Sequence, residues 1–314
     1  MNAILRQVLL ATPLFALILL GYALVRLGKW PKSVADALSR FVFSVGLPAL
    51  LFRMMLGMSA LPAVDARLLI AFFGGCFIVF ALGRLLAAWA FRLDGAAQSV
   101  FALAGIFSNN GMLGLPLAKS MLGDAALPAV ALVIVFNGLT LWTLVSVSVE
   151  WARHGSPDLR GFVRTFLGVL KNPIVASILS GALLGLAGFK LPELADQSLA
   201  QLGQAATPLS LVALGMGLGA YGIGSGFTVS LAMAGMKLVV QPLVVWGLAR
   251  LLHLPLLETQ AIVLLASVAT GVNVYLMAQQ FKTQEAQVAS ALVLSTALSA
   301  LTTPLALGLV AAAG

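Results

Sequence analysis

The sequence predicts an all-α integral membrane protein of about ten transmembrane helices, arranged as two inverted five-helix repeats with the fourth and ninth helices broken and crossed. Three observations predict this fold. The composition is 61% hydrophobic and only 9% charged. Apolar runs of about 20 residues recur along the chain. The chain also matches itself at an offset of 160 residues, which indicates an internal duplication.

The composition excludes a water-soluble fold. A mean hydropathy of +1.06 accompanies long, unalternated apolar runs, which in lipid form helices rather than a closed barrel. The net charge of +8 comes from basic residues in short loops, where they set topology, so we expect no nucleic-acid partner. The single cysteine, Cys76, lies in an apolar stretch and is interpreted as a packed small side chain. With only His154 and His253 as histidines, we expect neither a metal site nor a cofactor.

Ten apolar segments are long enough to cross a bilayer, which takes about 20 residues per helix. The first segment follows Arg6, is longer than the apolar core of a signal peptide and lacks a clear cleavage site, so we expect it to be retained. The predicted spans are about residues 5–25, 34–57, 67–91, 97–121, 127–150, 172–189, 197–220, 227–251, 257–280 and 286–311.

Basic residues in the loops indicate the orientation. If the N-terminus lies outside, nine of them fall on the inner side and five on the outer side, which favours N-terminus and C-terminus outside. Residues 151–171 then form a short cytoplasmic loop between a first repeat, 1–150, and a second repeat, 172–314. The inner set is Arg26, Lys29, Lys32, Arg92, Arg153, Arg160, Arg164, Lys171 and Lys282, and the outer set is Arg6, Arg67, Lys119, Lys190 and Arg250.

The internal repeat explains the two halves. Glycine is frequent, with 31 copies, so the matches that count are the scarcer prolines and aspartates. Five spans per half is an odd number, so the second half enters the membrane from the opposite side and the repeats are inverted. The matched pairs are Pro13 and Pro173, Gly21 and Gly181, Gly28 and Gly188, Asp36 and Asp196, Pro48 and Pro208, Gly57 and Gly217, and Gly111 and Gly271.

The fourth span contains a predicted helix break. Asn109, Asn110 and Gly111 are followed by Gly114 and Pro116 in an otherwise apolar segment. Proline removes a backbone donor, glycine tolerates unusual dihedral angles, and asparagine can bond the freed backbone groups. In lipid, such a break is tolerated where it is buried in protein or lines a wet cavity.

The ninth span contains a matching break, with Thr270, Gly271, Asn273 and Tyr275 in mid-span. Two broken helices related by the repeat are expected to cross near the bilayer centre, where half-helix N-termini suit a carboxylate. We therefore interpret both breaks as a binding site for an anionic substrate. The alternative is a pair of ordinary kinks whose amides join helices.

Lys237 lies about ten residues from either end of the eighth span, roughly 15 Å of helix from either surface. A buried ammonium is costly unless it is paired or hydrated, so Lys237 is a functional candidate that attracts the anion or changes protonation. Gln241, one turn further on, shares its face and is included in the site. The alternative is a structural cation held by carbonyls and amides.

Five further polar residues are interpreted individually. Asn137, in the fifth span, either lines the same cavity or bridges helices. Arg84 and Arg53 are expected to be interfacial anchors. Asp36 and Asp196 fall near helix ends and are expected to be N-caps.

Five motifs are spread over nearly the whole chain: Leu47-Pro48 within 43–52, Asn109-Asn110-Gly111 with Leu113-Gly114-Leu115-Pro116, Lys171-Asn172-Pro173, Lys237 to Pro242, and Gly271 to Tyr275. Together they resemble the auxin efflux carrier family, whose bacterial members include malonate and malate permeases. The resemblance implies a ten-helix fold like that of plant auxin exporters and bile-acid-type symporters. Helices one, two, six and seven would form a scaffold and a homodimer contact, and the crossed helices of the moving domain would hold the substrate. Plant members carry Asn-Pro-Asn at both crossings, whereas this chain has Asn109-Asn110-Gly111 and Gly271-Val272-Asn273.

The expected function is secondary transport of a small organic anion by alternating access in the bacterial inner membrane. The anion would be a carboxylate such as malonate or malate, or an auxin-like aromatic acid. No acidic residue lies deep in a predicted span, so coupling to a proton or sodium ion would need Lys237, the substrate's own carboxylate, or no ion at all. Without a nucleotide-binding motif or a recognisable catalytic arrangement, we expect no enzyme activity. The alternative is a non-transporting membrane sensor or ligand-binding subunit with a transporter fold.

Overall fold

The computed structural model describes residues 3–57, 65–154, 173–220 and 226–313, and these residues form helices joined by short connections. The all-α prediction is therefore confirmed for the described part of the chain. The α-helices are α1 (Ala3–Arg26), α2 (Lys32–Phe41), α3 (Leu47–Leu56), α4 (Arg67–Phe91), α5 (Gly95–Ala104), α6 (Leu115–Leu122), α7 (Leu127–His154), α8 (Pro173–Leu186), α9 (Glu193–Ala220), α10 (Phe227–Gly235), α11 (Gln241–Leu251), α12 (Leu256–Ser267), α13 (Val272–Phe281) and α14 (Glu285–Ala313).

Several of these helices are suited to a bilayer. In the described residues, six helical segments are long and apolar enough to cross a membrane, and four shorter helices are also apolar. Large apolar side chains cover the outer surface, with Trp89 85% exposed and Leu183 69% exposed, as lipid contact requires. The six long segments are Val8–Arg26, Lys32–Leu56, Arg67–Phe91, Glu193–Gly219, Phe227–Leu251 and Glu285–Ala313.

In the described residues, three π-helical turns occur, and each lies directly before a Leu-Pro or Gln-Pro pair. The turn Val42–Gly46 precedes Pro48, Asn110–Gly114 precedes Pro116, and Met236–Val240 precedes Pro242. Proline has no N–H to donate to the carbonyl four residues before it. The residue before each proline donates its own N–H to the carbonyl five residues before itself, which is the π-helical pattern. The hydrogen-bonded turn before each proline thus contains one more residue than an α-helical turn, and the helix continues after it.

Glycines bring the helix backbones into close contact at several sites, and two of these contacts are equivalent in the internal repeat. A Cβ atom added at Gly21 in α1 would lie 2.1 Å from the carbonyl oxygen of Val212 in α9. A Cβ atom added at Gly181 in α8 would lie 2.5 Å from the carbonyl oxygen of Phe52 in α3. Gly181 lies 160 residues after Gly21, and Val212 lies 160 residues after Phe52. The two contacts are therefore equivalent in the internal repeat. Small residues at membrane helix interfaces allow this close backbone packing.

The predicted N-caps are wrong. Asp36 lies within α2, which begins after Pro31 without a side-chain cap. The carboxylate of Asp196, in the first turn of α9, accepts two hydrogen bonds from the Arg53 guanidinium, at 2.7 and 2.9 Å. Arg53 therefore joins α3 to α9, in contrast to its predicted role as an interfacial anchor. Both side chains are partly exposed, so solvent screens this ion pair and it contributes little to stability.

Arg84 also differs from its predicted role as an interfacial anchor. It lies in α4 and donates to the Ser148 hydroxyl at 2.5 Å and to the Gln98 side-chain oxygen at 3.3 Å. The Ser99 hydroxyl lies 2.9 Å from that of Ser148 and extends this polar cluster between α4, α5 and α7. A half-buried guanidinium needs acceptors in place of water, and these side chains provide them.

Candidate functional site

Two helix breaks meet inside the protein. The helix α5 ends at Ala104 and helical structure resumes at Asn110, while α12 ends at Ser267 and α13 begins at Val272. The intervening segments, 105–109 and 268–271, run antiparallel, with Ser108 opposite Thr270. We call this pair of segments the crossing. The prediction that both helices break is confirmed.

The crossing segments bond to each other because the breaks leave backbone groups unpaired. The Asn109 N–H donates to the Ala269 carbonyl at 2.9 Å, and the Gly271 N–H donates to the Phe107 carbonyl at 2.7 Å. A Cβ atom added at Gly271 would lie 3.0 Å from the Ser108 carbonyl oxygen, so glycine permits this approach. Irregular backbone at membrane depth requires such pairing within the protein.

Hydroxyl groups satisfy some of the carbonyls at the ends of the half-helices. The Thr270 hydroxyl donates to the Ala104 carbonyl at 3.0 Å, and the Thr303 hydroxyl donates to the Ser267 carbonyl at 2.9 Å. The Thr270 N–H in turn donates to the Ser295 hydroxyl at 3.1 Å. Thr270, a predicted site residue, therefore holds the two segments together.

The helical segment 227–251 satisfies two further carbonyls. The Gln241 side-chain amide donates to the Ile106 carbonyl at 2.8 Å and lies 3.4 Å from the Cys76 sulfur. The Lys237 ammonium donates to the Ala266 carbonyl. Both side chains are fully buried, so the predicted lysine and glutamine lie at the crossing. The contact shows that the Lys237 side-chain nitrogen bonds to a backbone carbonyl of α12.

The N-terminal ends of the half-helices present a different chemistry. Ser108, Asn109 and Asn110 are all less than 7% exposed. The Asn109 side-chain oxygen accepts from the Met112 N–H at 3.4 Å and caps the helix that begins at Asn110. Within the described residues, the Asn109 amide nitrogen, both polar atoms of the Asn110 side chain and the Ser108 hydroxyl have no hydrogen-bond partner.

Unpaired buried amides are costly, at about 1–3 kcal/mol per group, so they indicate either strain or a ligand position. These amides lie at a helix N-terminus, where the helix dipole favours negative charge. The arrangement can therefore donate several hydrogen bonds to one small anion. We take Ser108, Asn109 and Asn110 as the centre of the candidate site.

The other predicted residues lie around the crossing or away from it. Gly111 is the second residue of the helix that resumes at Asn110, and an added Cβ atom there would lie 3.3 Å from the Phe43 ring. Pro116 is buried in α6 and Asn137 is buried in α7, where the side-chain oxygen of Asn137 has no partner among the described residues. Asn273 is exposed on the first turn of α13, and Tyr275 is half-buried on the same helix. Within the described residues, Pro116, Asn137 and Asn273 form no hydrogen bond with the unpaired amide atoms of Asn109 and Asn110.

Sequence reasoning missed several hydroxyl residues, namely Ser108, Ser295 and Thr303 of the crossing, and Ser210. The Ser210 hydroxyl, in α9, lies 2.7 Å from the Thr207 carbonyl of its own helix and 3.2 Å from the Met112 carbonyl of the broken helix, and it can donate to either. Serine and threonine hydroxyls within an apolar helix usually donate to a carbonyl of their own preceding turn. Their presence in the sequence therefore does not indicate a contact with another helix. Their proximity to a helix break is evident only from the fold.

A cavity of about 640 Å³ lies between α3, α9 and the connection from α6 to α7. Its charged lining residues are Arg53, Lys119, Lys190, Asp124 and Asp196. Arg53 and Asp196 pair with each other, and within the described residues no carboxylate lies within 4 Å of either lysine ammonium. The lining therefore has a net positive charge and attracts anions.

The chain is similar in sequence to several proteins named as transporters. A protein of Rhizobium meliloti named "Putative malonate transporter" is 28% identical over 93% of this chain and 92% of its own length. Two archaeal proteins named as uncharacterised transporters are also similar. The one from Methanothermobacter thermautotrophicus is 28% identical over 92% of this chain and 93% of its own length. The one from Methanocaldococcus jannaschii is 24% identical over 91% of this chain and 92% of its own length.

A family model described as "Membrane transport protein" matches residues 8–156 and 163–307. The match covers nearly the whole chain, including both segments of the crossing. The chain therefore belongs to this family of membrane transport proteins, the auxin efflux carrier family.

Proposed function

We propose that this membrane transport protein is a secondary carrier that binds a small carboxylate at the crossing and moves it by alternating access. The observation that carries the proposal is the set of unpaired, buried amide groups of Asn109 and Asn110 at a helix N-terminus. A carboxylate has two oxygens that accept hydrogen bonds, and charge-assisted bonds of this kind are about twice as strong as neutral ones. Binding would satisfy donors that otherwise remain unpaired.

The crossing offers neutral donors to the anion rather than a free cation. The Lys237 ammonium donates to the Ala266 carbonyl. An anion held by amides and helix N-termini can leave again, as a transport cycle requires, because it forms no buried ion pair.

The substrate class that we propose is a dicarboxylate such as malonate or malate. The name of the Rhizobium meliloti relative supports malonate. An auxin-like aromatic acid has the same carboxylate and is the comparison ligand for the test. We propose that a proton or a sodium ion is the coupling ion, and the flux experiment below distinguishes the two.

The proposed architecture is ten spans in two inverted five-helix repeats, 1–150 and 172–314, joined by the cytoplasmic segment 151–171. Most of that segment lies outside the described residues. The equivalent glycine contacts of Gly21 and Gly181 support the repeat. We place the N-terminus and C-terminus outside, the chain in the bacterial inner membrane, and two copies in a homodimer through the scaffold helices.

The test is flux across proteoliposomes containing the purified protein. We expect uptake of radiolabelled malonate, with competition by malate and a dependence on pH or sodium that identifies the coupling ion. Thermal stabilisation by the same acids should accompany the flux. Stabilisation without flux would favour a sensor with a transporter fold, and the absence of both for every acid tested would contradict the proposal.

The positively charged cavity carries a separate prediction. We expect the double variant Lys119→Gln, Lys190→Gln to take up malonate about threefold to tenfold more slowly at low ionic strength, because the cavity loses its attraction for anions. The difference should disappear at high salt, which screens exposed charges. Initial uptake rates measured over a series of KCl concentrations check this. The control variant Lys29→Gln, Lys32→Gln changes two exposed lysines outside the cavity, and an equal salt effect in that variant would contradict the assignment.

A further inference from the structure

One helical segment supplies a hydrogen-bond donor to each half of the crossing. Residues 227–251 comprise α10, a π turn and α11, with Lys237 inside the π turn and Gln241 directly after it. Lys237 donates to the Ala266 carbonyl near the end of α12. Gln241 donates to the Ile106 carbonyl, two residues after the end of α5, at 2.8 Å. The two donors are one turn apart and fully buried.

The two acceptors occupy equivalent positions. Ile106 and Ala266 are separated by 160 residues, which is the offset of the internal repeat. The donors have no counterparts at that offset, because the equivalent positions in α4 are Phe77 and Ala81, which are exposed and have no side-chain donor. A single segment of the second half therefore serves both halves of the crossing.

The electrostatics of the two contacts suit helix C-termini. The last carbonyls of a helix carry partial negative charge and lack intrahelical donors, so they favour a cation or an N–H group. At α12 the donor is the Lys237 side-chain nitrogen, and at α5 it is the Gln241 side-chain amide. In a membrane interior, an unsatisfied carbonyl has no water to replace the lost donor.

We propose that Lys237 and Gln241 are positioning residues that hold α5 and α12 at a fixed angle, so that the Asn109 and Asn110 amides face the ligand. The inference rests on the proposed function in one respect, since it assumes that the crossing binds the anion. It differs from the sequence interpretation, because Lys237 acts through the Ala266 carbonyl and does not contact the substrate.

Cys76 provides a reporter that is independent of transport. It is the only cysteine of the chain, it is fully buried, and its sulfur lies 3.4 Å from the Gln241 amide. If the donors hold the segment 227–251 against the crossing, loss of a donor lets water and reagents reach this sulfur. The labelling rate of Cys76 by a membrane-permeant maleimide therefore measures how often the contact opens.

The experiment compares Lys237→Met and Gln241→Met, which remove each donor at similar side-chain length, with Leu243→Met. Leu243 lies in the same segment with 55% of its surface exposed. We expect Cys76 to be labelled about tenfold faster in the first two variants and at the wild-type rate in the third. The exchanged variant Lys237→Gln, Gln241→Lys keeps one donor for each carbonyl and should restore protection.

Two outcomes would overturn the inference: unchanged labelling in both donor variants, or equal acceleration in Leu243→Met. A Lys237→Met variant that binds malonate more weakly while Cys76 stays protected would instead show direct contact of the lysine with the anion, which also contradicts it. If Lys237→Met does not fold, Gln241→Met and the exchanged variant decide the question. A wild-type protein without malonate flux would contradict the proposed function and leave the labelling result intact.

Discussion

Asn110→Asp is expected to lower malonate uptake by about 100-fold where the new side chain is ionised, because it then lacks a donor and repels the anion. Burial favours the protonated form, which can still donate, so the loss should grow as the pH rises. The side chain of Asn110 is 4% exposed, and neither of its polar atoms has a partner in the described residues. Aspartate has the same size and shape, so packing should change little. Initial uptake rates and malonate-induced thermal stabilisation measure the effect.

Two further variants separate the charge from the lost donor. Asn110→Ala removes the donor without adding charge, and its uptake should fall between that of the wild type and that of Asn110→Asp. Gln201→Glu makes the same amide-to-carboxylate change at an exposed position of α9 and should transport normally. Wild-type uptake by Asn110→Asp would show that this amide does not bind the substrate.

Gly215→Ala is expected to lower the free energy of unfolding by on the order of 3 kcal/mol, with a corresponding loss of folded protein. A Cβ atom at this position in α9 would lie 1.9 Å from the Ile18 carbonyl oxygen and 3.0 Å from the Tyr22 nitrogen of α1. Both neighbours are backbone atoms, which cannot move aside as a flexible side chain can. The two helices would have to separate and lose contacts along their interface.

The matched control is Gly217→Ala, two residues further along the same helix. No atom lies within 4 Å of a Cβ atom added there. This variant should unfold at the wild-type temperature or slightly above it, because alanine favours helix more than glycine does. Thermal unfolding of both variants in the same detergent provides the measurement. Equal stability of the two would contradict the close packing of α1 against α9.

The positions of the helix breaks followed from sequence because their causes are local. Asn109, Asn110 and Gly111 interrupt an apolar run, and Thr270 and Gly271 interrupt another. Few residue types disturb a membrane helix so strongly, so the composition of a short stretch of sequence was sufficient to predict each break. The π turns before Pro48, Pro116 and Pro242 have an equally local cause, although the sequence analysis did not specify them.

The roles of individual polar side chains were harder to predict. Asp196 was expected to cap its own helix but accepts from Arg53, 143 residues earlier. Arg84 was expected at an interface but donates to Ser148, 64 residues later. In each case a local role was assigned to a side chain whose partner lies on another helix. A propensity for capping or anchoring describes the residue type and contains no information on distant partners.

The sequence alone determined that the chain is a helical membrane protein, where two of its helices break, and the family to which it belongs. These properties depend on hydropathy and on rare residues within short windows, which need no knowledge of the packing. Only the tertiary structure decided which amides remain free and which donors are already occupied. Lys237 reaches the Ala266 carbonyl 29 residues away, and Gln241 reaches the Ile106 carbonyl 135 residues away. Such pairs form because buried backbone groups must find partners in a membrane interior, and the packing of the helices determines which partners are within reach.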